Sequence, residues 1–186
     1  QVNRQIAIEE LYKKEELDDL YENHQSSKKE HQRRDEVLIS LLIYQALTVL
    51  EISQLKVSDV DLEKGLIRIQ ENKKNRGREL NLKAVQIMLL HKYLMEDRVR
   101  YTDKKKGLLL LGEKGRPMWS GGISRILNQN RQGQKRMLAQ KIRQSVIAHL
   151  LKAKNDVRIV QAFAGHRRSG STEAYAQTGL EELKIA

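Results

Sequence analysis

Between Leu66 and Leu82 the period of the sequence changes, and that change bounds what the chain can fold into. Leu66-Ile67-Arg68-Ile69-Gln70 alternates apolar and polar residues as a half-buried strand does. Asn72-Lys73-Lys74-Asn75-Arg76-Gly77-Arg78 combines turn formers with cations and reads as a basic hairpin tip, from which Glu79-Leu80-Asn81-Leu82 returns as the partner strand. On both sides of this block the period is helical. Upstream, Leu11 to Tyr21 is an amphipathic helix, His24 to Arg34 a polar loop, Val37 to Ala46 a buried helix opened by Asp35, and a second helix runs through Glu51 to Leu55. Downstream, Lys83 to Arg98 is helical and Gly107 to Leu111 is a short apolar piece followed by a glycine-rich turn. Ser120 is placed to cap a helix containing Ile123 and Ile126, and Leu138 to Leu151, Asp156 to Phe163 and Ser171 to Ala176 complete the set. The fold class is therefore mainly α with a small antiparallel β-sheet, in a single domain over residues 1–186.

Charge narrows the partner. Lys and Arg number 35 against 24 Asp and Glu, a formal charge of +11. Such an excess favours an anionic partner, nucleic acid before an anionic membrane surface. The chain has no cysteine, which excludes disulfides, thiolate chemistry and cysteine zinc sites and fits a cytoplasmic location. The longest nearly apolar run, Val37 to Leu50, is too short to span a bilayer and contains Ser40, Gln45 and Thr48, so no membrane role is expected. Asp59 and Asp61 lie just before the strand that starts at Leu66, with no histidine near them, and read as turn-forming residues rather than metal ligands.

The chemistry-bearing residues gather toward the C-terminus. Arg143-Gln144-Ser145 is followed by Ala148-His149-Leu150-Leu151, then by Gly165-His166, then by Tyr175, along what reads as three successive helices. An arginine offers a planar fork of N–H donors that matches two phosphate oxygens and stays charged. A histidine can donate to the same phosphate, and a tyrosine hydroxyl can act as a nucleophile once activated.

At this spacing the chain resembles the catalytic domain of the tyrosine recombinases, the phage integrase family. Leu47 to Leu55 with Asp59-Val60-Asp61 resembles the family's first box, and the Lys73 hairpin resembles the one that carries the family's hairpin lysine. The resemblance implies the tyrosine recombinase catalytic-domain fold and site-specific cleavage and rejoining of double-stranded DNA through a 3′-phosphotyrosine. Tyr175 would be the nucleophile, Arg143 and His166 would hold the phosphate, and Lys73 would protonate the leaving 5′-oxygen. Lys74, Arg76 and Arg78 would touch DNA. No cofactor or metal is implied. His149 is read as a packing histidine. Self-association on DNA as a dimer or tetramer, and work at the nucleoid, are implied for the full-length protein. The chain begins at Gln1, and is expected to be a fragment lacking the N-terminal domain with which the family clamps DNA.

Several positions depart from the family pattern, among them Gln144, often histidine in the family, and two active-site positions. The Gly-Leu-Arg triplet of the first box stands here as Ala46-Leu47-Thr48, so the second phosphate-binding guanidinium is missing at Thr48. The histidine expected three residues before Arg143 is Gln140. Losing one preorganised contact to a transition-state phosphate costs on the order of 3–4 kcal/mol. The sequence therefore describes a slow recombinase, one with a substitute cation, or a catalytically impaired DNA-binding relative.

Overall fold

The computed structural model describes residues 10–101 and 107–181, with side chains described as far as Tyr175. Among the described residues eight α-helices run in chain order: α1 Lys14–Glu22, α2 Gln32–Gln45, α3 Val49–Gln54, α4 Ala84–Lys92, α5 Ser120–Asn128, α6 Ala139–Lys152, α7 Val157–Ala164 and α8 Gly170–Glu181. Between α3 and α4 stand three strands, β1 Val60–Asp61, β2 Leu66–Ile69 and β3 Arg78–Asn81, in the antiparallel order β1-β2-β3. The molecule is mainly helical with a small antiparallel sheet.

Helix α2 is the spine. Val37, Leu38, Ile39, Leu41 and Leu42 are fully buried, so the helix is apolar all round, as a helix enclosed by others must be. Its polar residues are bound inside the protein. Gln45 and Gln86 exchange amide hydrogen bonds at 2.9 and 2.8 Å, tying α2 to α4. The helix starts earlier than the apolar pattern suggests. A 3₁₀ turn at Lys29–His31 leads into Gln32, inside the segment expected as loop. Buried Asp35 organises this entry, accepting from Ser26, from Gln129 at 2.9 Å and from Arg34 at 2.7 Å. The first turn is polar because it serves that carboxylate, and polar residues give no apolar period to read.

The sheet obeys simple parity. Ile67 and Ile69 of β2 face Leu80 and Arg78 of β3 in register. Ile67, Ile69 and Leu80 are buried, while Arg68 and Glu79 are exposed and pair across the strands at 2.9 Å. Side chains two apart on a strand share a face. Arg78 therefore points to the same inner side as Leu80.

Two other expectations are corrected. The helix expected from Lys83 to Arg98 is α-helical only to Lys92, then widens to a π turn over Tyr93–Asp97 and tightens to a 3₁₀ turn over Arg98–Arg100. Here the Tyr93 hydroxyl donates to the Leu109 carbonyl at 2.9 Å and Arg98 Nε to that of Leu108 at 2.8 Å. Ser120 is the first residue of α5, not its cap; Trp119 takes the capping position without a side-chain bond. Asp59 and Asp61 bind their own turns: Asp59 accepts from Lys56 N at 2.9 Å and Asp61, within β1, from Lys64 N at 3.0 Å.

Candidate active site

Arg143 lies on the buried face of α6, and 7% of it is exposed. Its guanidinium donates from Nη1 to the Ala46 carbonyl at 2.5 Å and from Nη2 to the Ala164 carbonyl at 2.7 Å. Both carbonyls belong to helix ends. Ala46 closes α2 with φ of 50°, a left-handed conformation that costs a residue with a Cβ about 1–2 kcal/mol. Ala164 ends α7, where Gly165 takes φ of 70°. One arginine on α6 thus joins the C-termini of α2 and α7, where carbonyl dipoles favour a cation. Burial pulls the Arg143 pKa below its ordinary value, with Glu51 opposing. An arginine stays charged through such a shift.

Gly165 and His166 are where the β2–β3 hairpin docks. Arg76 N donates to the Gly165 carbonyl at 2.8 Å, and Asn75 and His166 form an isolated antiparallel bridge. A Cβ on Gly165 would lie 2.5 Å from Arg78 Nη1 and 3.0 Å from the Arg76 carbonyl, so glycine is required for space as well as for φ. Arg167 adds a clamp, donating to the Glu71 carboxylate and to the Asn72 carbonyl at 2.8 Å. Lys73 and Lys74 sit exposed in the turn between Asn72 and Asn75, and Arg76 is exposed beside them. The Lys73 turn is therefore fixed next to His166.

Arg78 was expected at the hairpin tip as a DNA contact. It opens β3 instead, and strand parity turns it inward. Its side chain is 6% exposed and its partner Glu51 1%. Arg78 Nη1 and Nη2 meet the two Glu51 oxygens at 2.7 and 3.2 Å, and Nε donates to the Phe163 carbonyl at 2.6 Å. Glu51 also accepts from Thr48 N at 2.9 Å and from Asn75 Nδ2 at 3.1 Å. Burial alone would raise the Glu51 pKa, but Arg78 first, then the Thr48 amide and Arg143, hold it below the ordinary carboxylate value. Thr48 itself is the N-cap of α3, its Oγ1 accepting from Glu51 N at 3.2 Å in a reciprocal capping box.

His166 is neutral. Its pKa is pushed down to about 4, by burial first and then by Arg143 and Arg78. Its Nδ1 lies 2.8 Å from the hydroxyl of fully buried Thr172. A His166 that donates to a phosphate carries its proton on Nε2, with the Thr172 hydroxyl donating to Nδ1. Tyr175 on α8 is half-buried and packs on the small cluster of Ile147, Val160 and Ala164, near enough to Arg143 for their charges to couple. Burial raises its phenol above the usual 10, with Arg143 pulling the other way. His149 is half-buried and interacts with the backbone of Tyr12, a packing position. Gln140 is exposed in the first turn of α6.

The structure thus brings Arg143, His166, Tyr175 and the Lys73 hairpin to one locus. It adds Glu51, Arg167 and Thr172, to which sequence reasoning had given no role there, and it moves Arg78 from the hairpin tip into a buried pair with Glu51. Only the Glu51 role had a local signal, the Thr-x-x-Glu capping box.

The depressed His166 pKa has a consequence for stability. The unfolded chain binds a proton near pH 6.5 and the folded one near 4, so between those values the unfolded state holds more protons. Stability therefore rises with pH across that window and this contribution is complete above about 6.5. His31 and His149 are also lowered by burial, so the measure is a difference between variants. His166→Asn, whose amide can keep the Thr172 bond, should flatten the pH dependence of urea unfolding between about pH 4 and 6.5. An identical slope in wild type and variant would contradict the burial of a neutral imidazole.

The phage integrase family matches residues 10–181. Over 159 residues the chain is 30% identical to tyrosine recombinase XerC of Pelotomaculum thermopropionicum, covering 81% of this chain and 52% of that protein. It is 29% identical over 163 residues to tyrosine recombinase XerA of Thermococcus kodakarensis, covering 83% and 54%. Among solved structures, the XerH site-specific recombinase bound to its difH substrate superposes with a TM-score of 0.75 at 27% identity, over 94% of this chain and 52% of that one. A lambda integrase dimer bound to a core site shares the fold, with a TM-score of 0.64 at 15% identity over 89% and 47%. The chain spans about half the length of the relatives it matches. With the match running from residue 10 to 181, the chain belongs to the phage integrase family.

Proposed function

We propose that these 186 residues are the catalytic domain of a site-specific DNA recombinase acting on intracellular duplex DNA, assembled on its site as a dimer or tetramer. The observation that carries this reading is the convergence of Arg143, His166 and Tyr175 with the hairpin of Lys73, since one phosphate must be reached by all of them. In the reaction Tyr175 Oη bonds to the scissile phosphorus and gives its proton to water. The bond from phosphorus to the 5′-oxygen breaks, and that oxygen takes a proton from Lys73. Arg143 and His166 Nε2–H stabilise the charge that builds on the non-bridging oxygens. Attack by a second 5′-hydroxyl reverses the step on another strand, and the bond energy is held in the enzyme–DNA link throughout.

The test is covalent capture. A pool of random-sequence duplexes, each nicked so that the cleaved fragment diffuses away, is incubated with the chain and run on a denaturing gel. Covalent complexes should form, sequencing of the captured DNA should give the target site, and Tyr175→Phe should abolish capture while leaving DNA affinity within about twofold, because only the nucleophilic oxygen is lost. Thr48 as a cap rather than a cation favours a second reading, a DNA-binding relative without cleavage. Binding without capture, for wild type and Tyr175→Phe alike, would establish that one.

A further inference from the structure

The structure assigns to Arg78 the phosphate-facing charge that Thr48 lacks: a guanidinium on β3, held by Glu51, takes the place of one at the N-cap of α3. The inference rests on the phosphotyrosine reading of the site. Thr48 N and Arg78 Nη2 bind the same Glu51 oxygen, at 2.9 and 3.2 Å. The Arg78 guanidinium therefore lies at the very residue where the first-box arginine is missing. It also lies beside the two other phosphate-binding candidates, since its charge is felt by both Arg143 and His166.

Its remaining hydrogen-bonding capacity fits the role. Of five guanidinium N–H groups, Nε is taken by Phe163, Nη1 by Glu51 and, at 3.4 Å, by the Arg76 carbonyl, and one Nη2 hydrogen by Glu51. Among the described residues nothing takes the second Nη2–H, which is left for a phosphate oxygen. On Arg143 the carbonyls of Ala46 and Ala164 take one hydrogen each, which among the described residues leaves Nε–H and two more. Glu51 does not cancel the pair. Two guanidinium groups against one carboxylate leave the locus with one net positive charge before Lys73 is counted. Three contacts to Glu51 and Phe163 fix the Arg78 fork in advance, which is what electrostatic stabilisation of a transition state requires.

The test removes the charge without leaving an orphan. Arg78→Gln with Glu51→Gln deletes both members of the buried pair, keeps the net charge of the chain, and puts two amides where reciprocal hydrogen bonds can form. A thermal melt confirms that the variant folds. Capture of the nicked pool should fall about 100-fold. Adding Thr48→Arg should restore most of it, because a cation returns to the locus although Glu51 is no longer there to be paired. Undiminished capture overturns the assignment. So does a loss that Thr48→Arg leaves in place, which would make the pair purely structural. A second measurement needs no cleavage: inorganic phosphate is titrated against wild type and the double variant. Affinity about tenfold weaker in the variant supports the assignment, and equal affinity overturns it. A wild-type chain that never captures DNA sinks the phosphotyrosine reading, and the titration then decides on Arg78 by itself.

Discussion

Glu51→Ala should destabilise the chain by about 3–5 kcal/mol, because it leaves one buried guanidinium with no counter-charge and a second with less. Arg78 and Glu51 are 6% and 1% exposed, so solvent does little to screen the loss. The same change removes the acceptor for Thr48 N and Asn75 Nδ2 and half of the α3 capping box. Against a total stability of about 5–15 kcal/mol this is a large fraction. For a domain of this size it lowers Tm by on the order of 10 °C. The pH dependence has a definite sign. The Glu51 carboxyl sits below its unfolded value, so its contribution is present above the ordinary carboxylate pKa and is lost as pH falls through the depressed one. Melting at pH 7 and at about pH 3 checks both parts. A Tm within two degrees of wild type at pH 7 would mean that the pair behaves as a solvated surface bridge.

The fold was largely legible. The switch from helical period to alternation located the sheet, and the apolar run at Val37 located the spine of the molecule. The site was legible where spacing along one chain segment carries the signal, from Arg143 to Tyr175. It was not legible where residues meet through the tertiary fold. Arg78 bonds to Phe163, 85 residues away, and to Glu51, 27 residues away, and no local pattern announces either. Parity could have warned against placing Arg78 on the hairpin tip. Leu80 on β3 and Leu82 just beyond it are apolar and buried, and Arg78 shares the side of Leu80. Cations beside a glycine suggested a solvated turn instead. The same gap hid Thr172, whose hydroxyl matters only because α8 packs back on α7 and brings it to His166.

Thr48 changes meaning in this light. As an isolated departure from a motif it reads as damage. In the structure its hydroxyl caps α3, its amide holds Glu51, and Glu51 holds a guanidinium against the same locus. On the reading proposed above, the position supports the residue that positions a charge instead of supplying the charge itself. Gln140 supplies no base of its own. It is exposed, its amide accepts no proton at neutral pH, and His166, near 4 and bound to Thr172, is a weak base.

The expected pH–rate profile of capture follows from the glutamine at position 140. Tyr175 is held above the usual phenol value by burial, so at neutral pH almost all of it is protonated. With glutamine at position 140 in place of a histidine, the proposed reactive species is the phenolate formed beforehand, and its fraction grows tenfold per pH unit until the pKa is reached. Capture rates should therefore climb about 10³-fold between pH 6.5 and 9.5, a range that avoids the acid window in which His166 weakens the fold. A site with a base near neutrality behaves differently, rising to a plateau as that base loses its proton. Gln140→His should produce this change, raising the rate near pH 7 by about 10²–10⁴-fold and bending the profile flat above pH 7. Initial rates of covalent complex with the nicked pool, taken at half-unit steps, separate the two shapes. A wild-type profile already flat above pH 7 would show that another group accepts the Tyr175 proton, and would remove the slow-enzyme account of Gln140.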